Sequence, residues 1–129
     1  MRIAHIAIWA NDLEALKDFY MKYFEMECSE QYHNPKKQFT SYFLRFRGEA
    51  TAIELMQSPD ILPFPVEKGF VNGLTHFAIS VGSKDAVDDL TERIERDGHR
   101  IVSAPRTTGD GFYESVVEDA DGNWVEITE

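Results

Sequence analysis

A single cysteine, Cys28, serves the whole chain of 129 residues, which excludes an intramolecular disulfide and any zinc cluster built on thiolates. The stretch Met26-Glu27-Cys28-Ser29-Glu30 surrounds that thiol with acidic neighbours, which work against a nucleophilic thiolate, so Cys28 is read as a structural or surface residue. Positive charge is scarce as well: 13 Lys and Arg stand against 23 Asp and Glu, for a formal net charge of −10. No basic stripe offsets that balance, so binding to a phosphate backbone has no electrostatic footing. Long apolar runs are missing too. Met1-Arg2-Ile3-Ala4-His5-Ile6 leads straight into strand-like sequence, without an apolar signal core and cleavage site. These absences point to a cytoplasmic protein with neither a nucleic-acid nor a membrane partner.

What is present suits a folded core. Hydrophobic residues make up 43% of the chain, nine of them Phe and two Trp, and the length fits one domain or two small halves sharing a core. Ile3–Trp9 is β-rich and ends at Asn11-Asp12, a helix N-cap pair. Leu13, Leu16, Phe19, Tyr20, Tyr23 and Phe24 then fall at helical spacing. Strand candidates follow at Met26–Tyr32, Phe39–Phe46 and Thr51–Gln57, with a hairpin turn at Arg47-Gly48-Glu49.

The second half repeats this order. Leu74–Val81 reads as a strand, Ser83 as an N-cap, and Ala86, Val87, Leu90 and Ile94 as a helix stopping before Gly98. Strands are expected at His99–Ser103, Phe112–Glu118 and Trp124–Thr128, the last two joined by the turn Asp121-Gly122-Asn123. The expected organisation is a single domain, 1–129, of two modules, about 1–57 and about 73–129. The linker, about 58–72, carries Pro59, Pro63, Pro65 and Gly69. Neither half alone is long enough to bury a good core.

Strand parity shows what each strand hides, because successive side chains alternate faces. Ile6 and Ile8 oppose His5, Ala7 and Trp9; Phe77 and Ile79 oppose His76, Ala78 and Ser80. Ile53 and Leu55 oppose Glu54, and Val125 and Ile127 oppose Glu126. Each strand thus has one apolar face and one face with a single ionisable residue among its neighbours. A lone His or Glu there is ordinarily a solvated side chain. The repeat sets these four apart: the histidines lie 71 residues apart and the glutamates 72. Two imidazoles and two carboxylates converging on one concave site suit a divalent transition metal such as Zn, Ni, Co, Fe or Mn, with room left for a substrate oxygen.

These residues, with Asp18-Phe19-Tyr20, Ile53-Glu54-Leu55, Thr75-His76-Phe77-Ala78 and the stretch from Val117 to Glu126, resemble the vicinal oxygen chelate superfamily, and within it glyoxalase I (lactoylglutathione lyase). The resemblance covers essentially the whole chain. It implies an α+β fold of two paired βαβββ modules forming a curved mixed sheet around a metal held by His5, Glu54, His76 and Glu126. It also implies a homodimer, with the site completed within one chain or across two. The implied reaction isomerises the hemithioacetal of a 2-oxoaldehyde and a thiol to a 2-hydroxyacyl thioester through an enediolate. Glu126 is the implied base and Glu54 its symmetric counterpart.

The chain departs from the glyoxalase I pattern in two places. Trp9 stands where that family has an arginine for the glutathione carboxylate, and Gln57-Ser58-Pro59 follow Ile-Glu-Leu-Met without the expected asparagine. Another thiol, or a substrate with none, is therefore in play. Trp9 and Arg106 are the candidate substrate contacts, Arg106 as a positive handle in the loop Ala104–Gly111 or simply an exposed loop arginine. His33 is read as an exposed loop residue and His99 as a surface residue at a strand start. Parity leaves the face of Glu114 open, and Tyr42, Phe112 and Tyr113 are pocket walls or packing residues. The competing readings are an epimerase, a thiol transferase acting on an epoxide antibiotic, a dioxygenase, or a non-catalytic small-molecule-binding resistance protein.

Overall fold

The computed structural model describes residues 1–62 and 66–129; Pro63 and Pro65 of the predicted linker lie outside the described residues. The chain divides into two compact units, Met1–Pro63 and Phe64–Glu129. Each has the strand–helix–strands order expected from the sequence, and each builds its own mixed sheet.

In the first unit β1 (His5–Trp9) leads into α1 (Leu13–Phe24), then β2 (Glu27–Cys28), β3 (Tyr32–Asn34), β4 (Phe39–Arg45) and β5 (Ala52–Gln57). The sheet order is β1-β5-β4-β2, with β3 also on β4, and β1 runs parallel to β5. The helix starts where Asp12 accepts a hydrogen bond from the Ala15 N–H at 3.0 Å. Its apolar stripe, Leu13, Leu16, Phe19, Tyr20, Tyr23 and Phe24, is buried. Leu16 and Tyr20 are fully covered, as are Leu44 and Leu55 on β4 and β5. Each such side chain contributes about 1.5–3 kcal/mol by leaving water.

The predicted strand Met26–Tyr32 is broken. Cys28 pairs with Leu44 but Tyr32 with Ser41, so four steps on one side match three on the other, the signature of a bulge. The cause is local: the Ser29 hydroxyl accepts the Phe43 N–H at 3.0 Å, taking the place of a backbone carbonyl. His33 consequently lies in β3, exposed and 3.0 Å from the Thr40 hydroxyl, and not in a loop.

In the second unit β6 (His76–Ser80), α2 (Lys84–Arg96), β7 (Ile101–Thr107), β8 (Tyr113–Glu118) and β9 (Trp124–Thr128) form a sheet of order β6-β9-β8-β7, with β6 parallel to β9. Ser83 caps α2 by accepting from the Ala86 N–H, and the C-terminus closes on Gly98 at φ 91°. There the Gly98 N–H donates to the Glu95 carbonyl and the His99 N–H to the Ile94 carbonyl, the double bond pattern that a left-handed glycine permits. His99 therefore belongs to the helix stop and not to a strand start. Val87, Ile94, Val117, Val125 and Ile127 form the fully covered core. A buried hydroxyl pair joins helix to sheet: Thr91 donates to the Val87 carbonyl, which leaves Ser115 to donate to Thr91 at 2.7 Å.

Arg106 also stands elsewhere than predicted. The strand continues through Pro105 to Thr107, and Arg106 pairs with Glu114 on β8. β7 is the sheet edge, where a residue without an N–H is tolerated, and two register shifts absorb it.

A candidate metal and substrate site

The two candidate pairs are assembled in the same way. In β1 and β5 His5 lies opposite Ala52 and Ala7 opposite Glu54; in β6 and β9 His76 lies opposite Trp124 and Ala78 opposite Glu126. Each glutamate thus faces an alanine methyl, which leaves its carboxylate free to lean diagonally toward the histidine. The distances are 3.7 Å from His5 Nε2 to Glu54 Oε2 and 3.2 Å from His76 Nε2 to Glu126 Oε2. Burial follows the predicted parity, with Ile8, Ile79, Leu55 and Ile127 inside and both histidines exposed.

The donor set fits a divalent ion. Two ligands each about 2.1 Å from one ion, at right angles or tetrahedral, sit about 3.0–3.4 Å apart. The His–Glu spacings fall at or just beyond that range, with an imidazole nitrogen and a carboxylate oxygen as the donors. The structure brings His5 to Glu54 and His76 to Glu126. Among the described residues it gathers no group of three or more His, Cys, Asp or Glu able to hold an ion.

The sequence model of the Glyoxalase/Bleomycin resistance protein/Dioxygenase superfamily matches residues 2–127. The chain belongs to that superfamily. The Bacillus subtilis (strain 168) protein YqjT, itself uncharacterized, is 27% identical over 126 residues, covering 95% of this chain and 94% of its own. Glyoxalase I from Zea mays is 26% identical with a TM-score of 0.79; the match covers 98% of this chain but 44% of the maize chain, so this chain spans under half of that enzyme's length. The trypanothione-dependent glyoxalase I of Leishmania major is 21% identical with a TM-score of 0.77, over 100% of this chain and 86% of its own, a likeness of fold.

Within this superfamily fold the two pairs have different neighbours. Phe43 sets its ring edge-on to His5 at 5.7 Å, and the Arg45 guanidinium lies 5.5 Å from the Phe43 ring centre. Beside Glu126 stands Glu114, whose carboxyl comes within hydrogen-bonding reach. Arg106 Nη2 lies 3.3 Å from Glu114 Oε1, and Arg106 also donates to the Ser103 hydroxyl. Burial, first, and the negative charge of Glu114 raise the Glu126 pKa above its ordinary value, while His76 and Arg106 oppose the rise. Parity across the irregular β7 could not place Glu114. Register places it: Glu114 lies two residues along β8 from Val116, the partner of Glu126, and so on the same face.

Both tyrosines point to the helices and are not pocket walls. Tyr42 donates to Glu14 of α1 at 2.7 Å and Tyr113 to Asp88 of α2 at 2.8 Å, each with a lysine ammonium 5.2 Å from its ring centre. Phe112 is exposed just before β8. Trp9 shares the face of His5 and Ala7, is 41% exposed, and lines a cavity of about 580 Å³. Cys28 is half-buried. Its thiol pKa is raised chiefly by that burial, the carboxylates of Glu14, Asp18 and Glu30 adding to the rise and Lys17 opposing it.

Trp124 lies beside Glu126 on β9 and is covered by the 3₁₀ turn Lys68–Phe70. Phe70 meets the indole edge-on at 5.2 Å, and Lys68 donates to the Asn123 side chain at 2.8 Å. Gly69 lies against the ring so closely that a Cβ there would be 2.3 Å from the indole carbons. Gly69→Ala is therefore expected to lift the turn, costing about 1–3 kcal/mol as overpacking does. A lower melting temperature together with red-shifted tryptophan emission is the check; emission unchanged from wild type would show the turn still seated.

Proposed function

We propose that the chain is a metal-dependent lyase of the glyoxalase I type, which isomerises the hemithioacetal of a 2-oxoaldehyde and a thiol to a 2-hydroxyacyl thioester. The observation that carries this reading is the duplicated His–Glu pair, with donor atoms 3.7 and 3.2 Å apart at equivalent places in two units. His5, Glu54, His76 and Glu126 are the proposed ligands of one divalent transition ion, the two modules acting as one domain in a homodimer. The zinc-to-manganese range of ions fits equally, since nitrogen and carboxylate donors suit all of them. When bound, the ion supplies positive charge beside two neighbouring oxygens of the substrate.

The chain's own groups do the rest. Glu126 takes the proton from the carbon that bears sulfur and returns it to the adjacent carbon, while the hydroxyl proton of the first carbon passes to the oxygen of the second, leaving a thioester carbonyl and a new hydroxyl-bearing carbon. Trp9 lines the route by which substrate lies along β1, and Arg106 reaches substrate through the Glu114 side of the second unit. An acidic chain with one half-buried thiol suits the reducing cytoplasm. No described helix is long and apolar enough to cross a membrane.

Metal analysis of the purified protein, after stripping and reloading, tests this reading. About one transition ion per four-ligand set, together with thioester formation detected by its ultraviolet absorbance from a panel of 2-oxoaldehyde and thiol pairs, is the expected result. Failure to take up any of the five ions would sink it and leave a binding protein. Uptake with proton exchange but no thioester would replace the lyase with an epimerase.

A further inference from the structure

The open face of β6, β9 and β8 carries a row of side chains beside the His76–Glu126 pair. His76 and Glu118 both lie opposite Trp124, and strand parity puts all three on the face of Glu126. Arg100 ends the row, its Nη1 2.8 Å from Glu118 Oε1. Residues 67–70, just before β6, cross this row. Glu67 Oε1 stands 2.7 Å from Arg100 Nη1, Lys68 donates to the Asn123 side chain, and Gly69 and Phe70 lie on the Trp124 indole. The seat is nonetheless marginal. The Trp124 indole N–H is buried and has no hydrogen-bond partner among the described residues. A donor in that state has lost its hydration without return, a cost that ends when water reaches the ring. The turn rests on two long backbone bonds, from the Phe70 N–H to the Glu67 carbonyl at 3.3 Å and from the Val71 N–H to the Lys68 carbonyl at 3.4 Å. Phe70 stays 76% exposed even while seated, and Arg100 is more than half exposed, so its link to Glu67 holds weakly.

We propose that residues 67–71 are a strap with two positions. Seated, the strap walls the His76 end of this face. Lifted, it gives the indole N–H to water and opens the flank of His76 to small molecules. Gly73, at φ 129°, lies between the strap and β6 in a backbone conformation that side chains rarely adopt, and it is the hinge. Gly69 is the counterpart at the seat, where its missing side chain lets the backbone reach the ring. That the strap thereby governs access to a metal ion and its substrate rests on the function proposed above; its two positions do not.

Two readouts on the metal-free protein test this. In the wild type, deuterium exchange at the Trp124 indole N–H and at the Phe70 and Val71 amides is expected to be less protected, by about tenfold or more, than at the Val125 and Ile127 amides, and insensitive to low denaturant, as local opening is. Diethyl pyrocarbonate labelling, read residue by residue by peptide mass spectrometry, is the second. Phe70→Ala, at an exposed position, and Gly69→Ala are each expected to raise labelling of His76 about fivefold, with His5 in the other unit at its wild-type rate. Indole exchange that matches Val125 and Ile127 in protection and in denaturant dependence would make the segment a fixed part of the unit and overturn the proposal. So would unchanged His76 labelling in both variants, or an equal rise at His5, which reports general loosening. Neither readout uses metal or turnover, so the strap can stand if the lyase reading falls, and fall if that reading stands.

Discussion

Glu126→Gln is expected to lower turnover about a thousandfold, within the range ascribed to a positioned general base, while the protein stays folded. The amide keeps the shape of the carboxyl and can still accept a hydrogen bond from His76, but it cannot take the substrate proton. Its effect on the metal-free protein carries its own sign. The Glu126 pKa is raised in the folded state by burial and by Glu114. A raised carboxyl contributes stability that is fully present below the unfolded pKa and is lost as pH rises through the folded value. Near pH 8 the wild type has lost that contribution, whereas the amide has no proton to lose. Metal-free Glu126→Gln should therefore be at least as stable as wild type near pH 8, and any advantage should vanish below pH 4.

Glu54→Gln is the matched control, since Glu54 lies opposite Phe43 as Glu126 lies opposite Val116, and it occupies the equivalent place on β5. It should weaken metal retention and leave a larger share of turnover than Glu126→Gln. Chemical melts of the stripped proteins, set beside turnover of the reloaded ones, give both readings. Equal turnover losses in the two variants would assign the base role to neither glutamate in particular. A large loss of stability in Glu126→Gln would make its role structural.

Much of the site was legible because strands and helices are periodic. Parity placed His5, Glu54, His76 and Glu126 opposite the residues that the structure buries, and Asp12, Ser83 and Gly98 marked the helix ends where they occur. Legibility failed where the period breaks. Ser29 lends its hydroxyl to the Phe43 N–H and inserts one residue, so β2 and β3 cannot be read as one strand. Pro105 and its register shifts hid the fact that Arg106 and Glu114 face one another across β7 and β8. Cross-strand partners of this kind follow from register, which a single chain does not print. The inward turn of Tyr42 and Tyr113 was hidden too, because their acceptors lie 28 and 25 residues away on the helices.

Asp119 is the other residue whose replacement should have a large effect, although the sequence offered it only within the stretch from Val117 to Glu126 that carries the family resemblance. It is 4% exposed, and its carboxylate accepts three hydrogen bonds: from the Asp121 N–H and the Asn123 N–H at 2.9 Å each, and from the Asn123 side-chain amide at 2.8 Å. Its backbone carbonyl also accepts the Gly122 N–H at 3.1 Å, with Gly122 at φ 75°. The turn so fixed delivers Trp124 opposite His76 and, two residues on, Glu126 opposite Ala78. The duplication could not reveal this role, because Glu118 opposite Trp124 answers to Arg45 opposite Ala52, which makes Phe46 the counterpart of Asp119. Asp119→Ala leaves three donors without their acceptor, two of them backbone, and should cost about 2–4 kcal/mol, given the strength of hydrogen bonds to a charged acceptor. Asp119→Asn keeps one carbonyl oxygen for the two backbone donors and should lose about half as much. If the turn sets the register of β9, amide exchange at Trp124 and Val125 should speed up in Asp119→Ala before global unfolding, and metal retention should fall with it. Loss of stability with β9 exchange unchanged would confine Asp119 to the turn and separate it from the placement of Glu126.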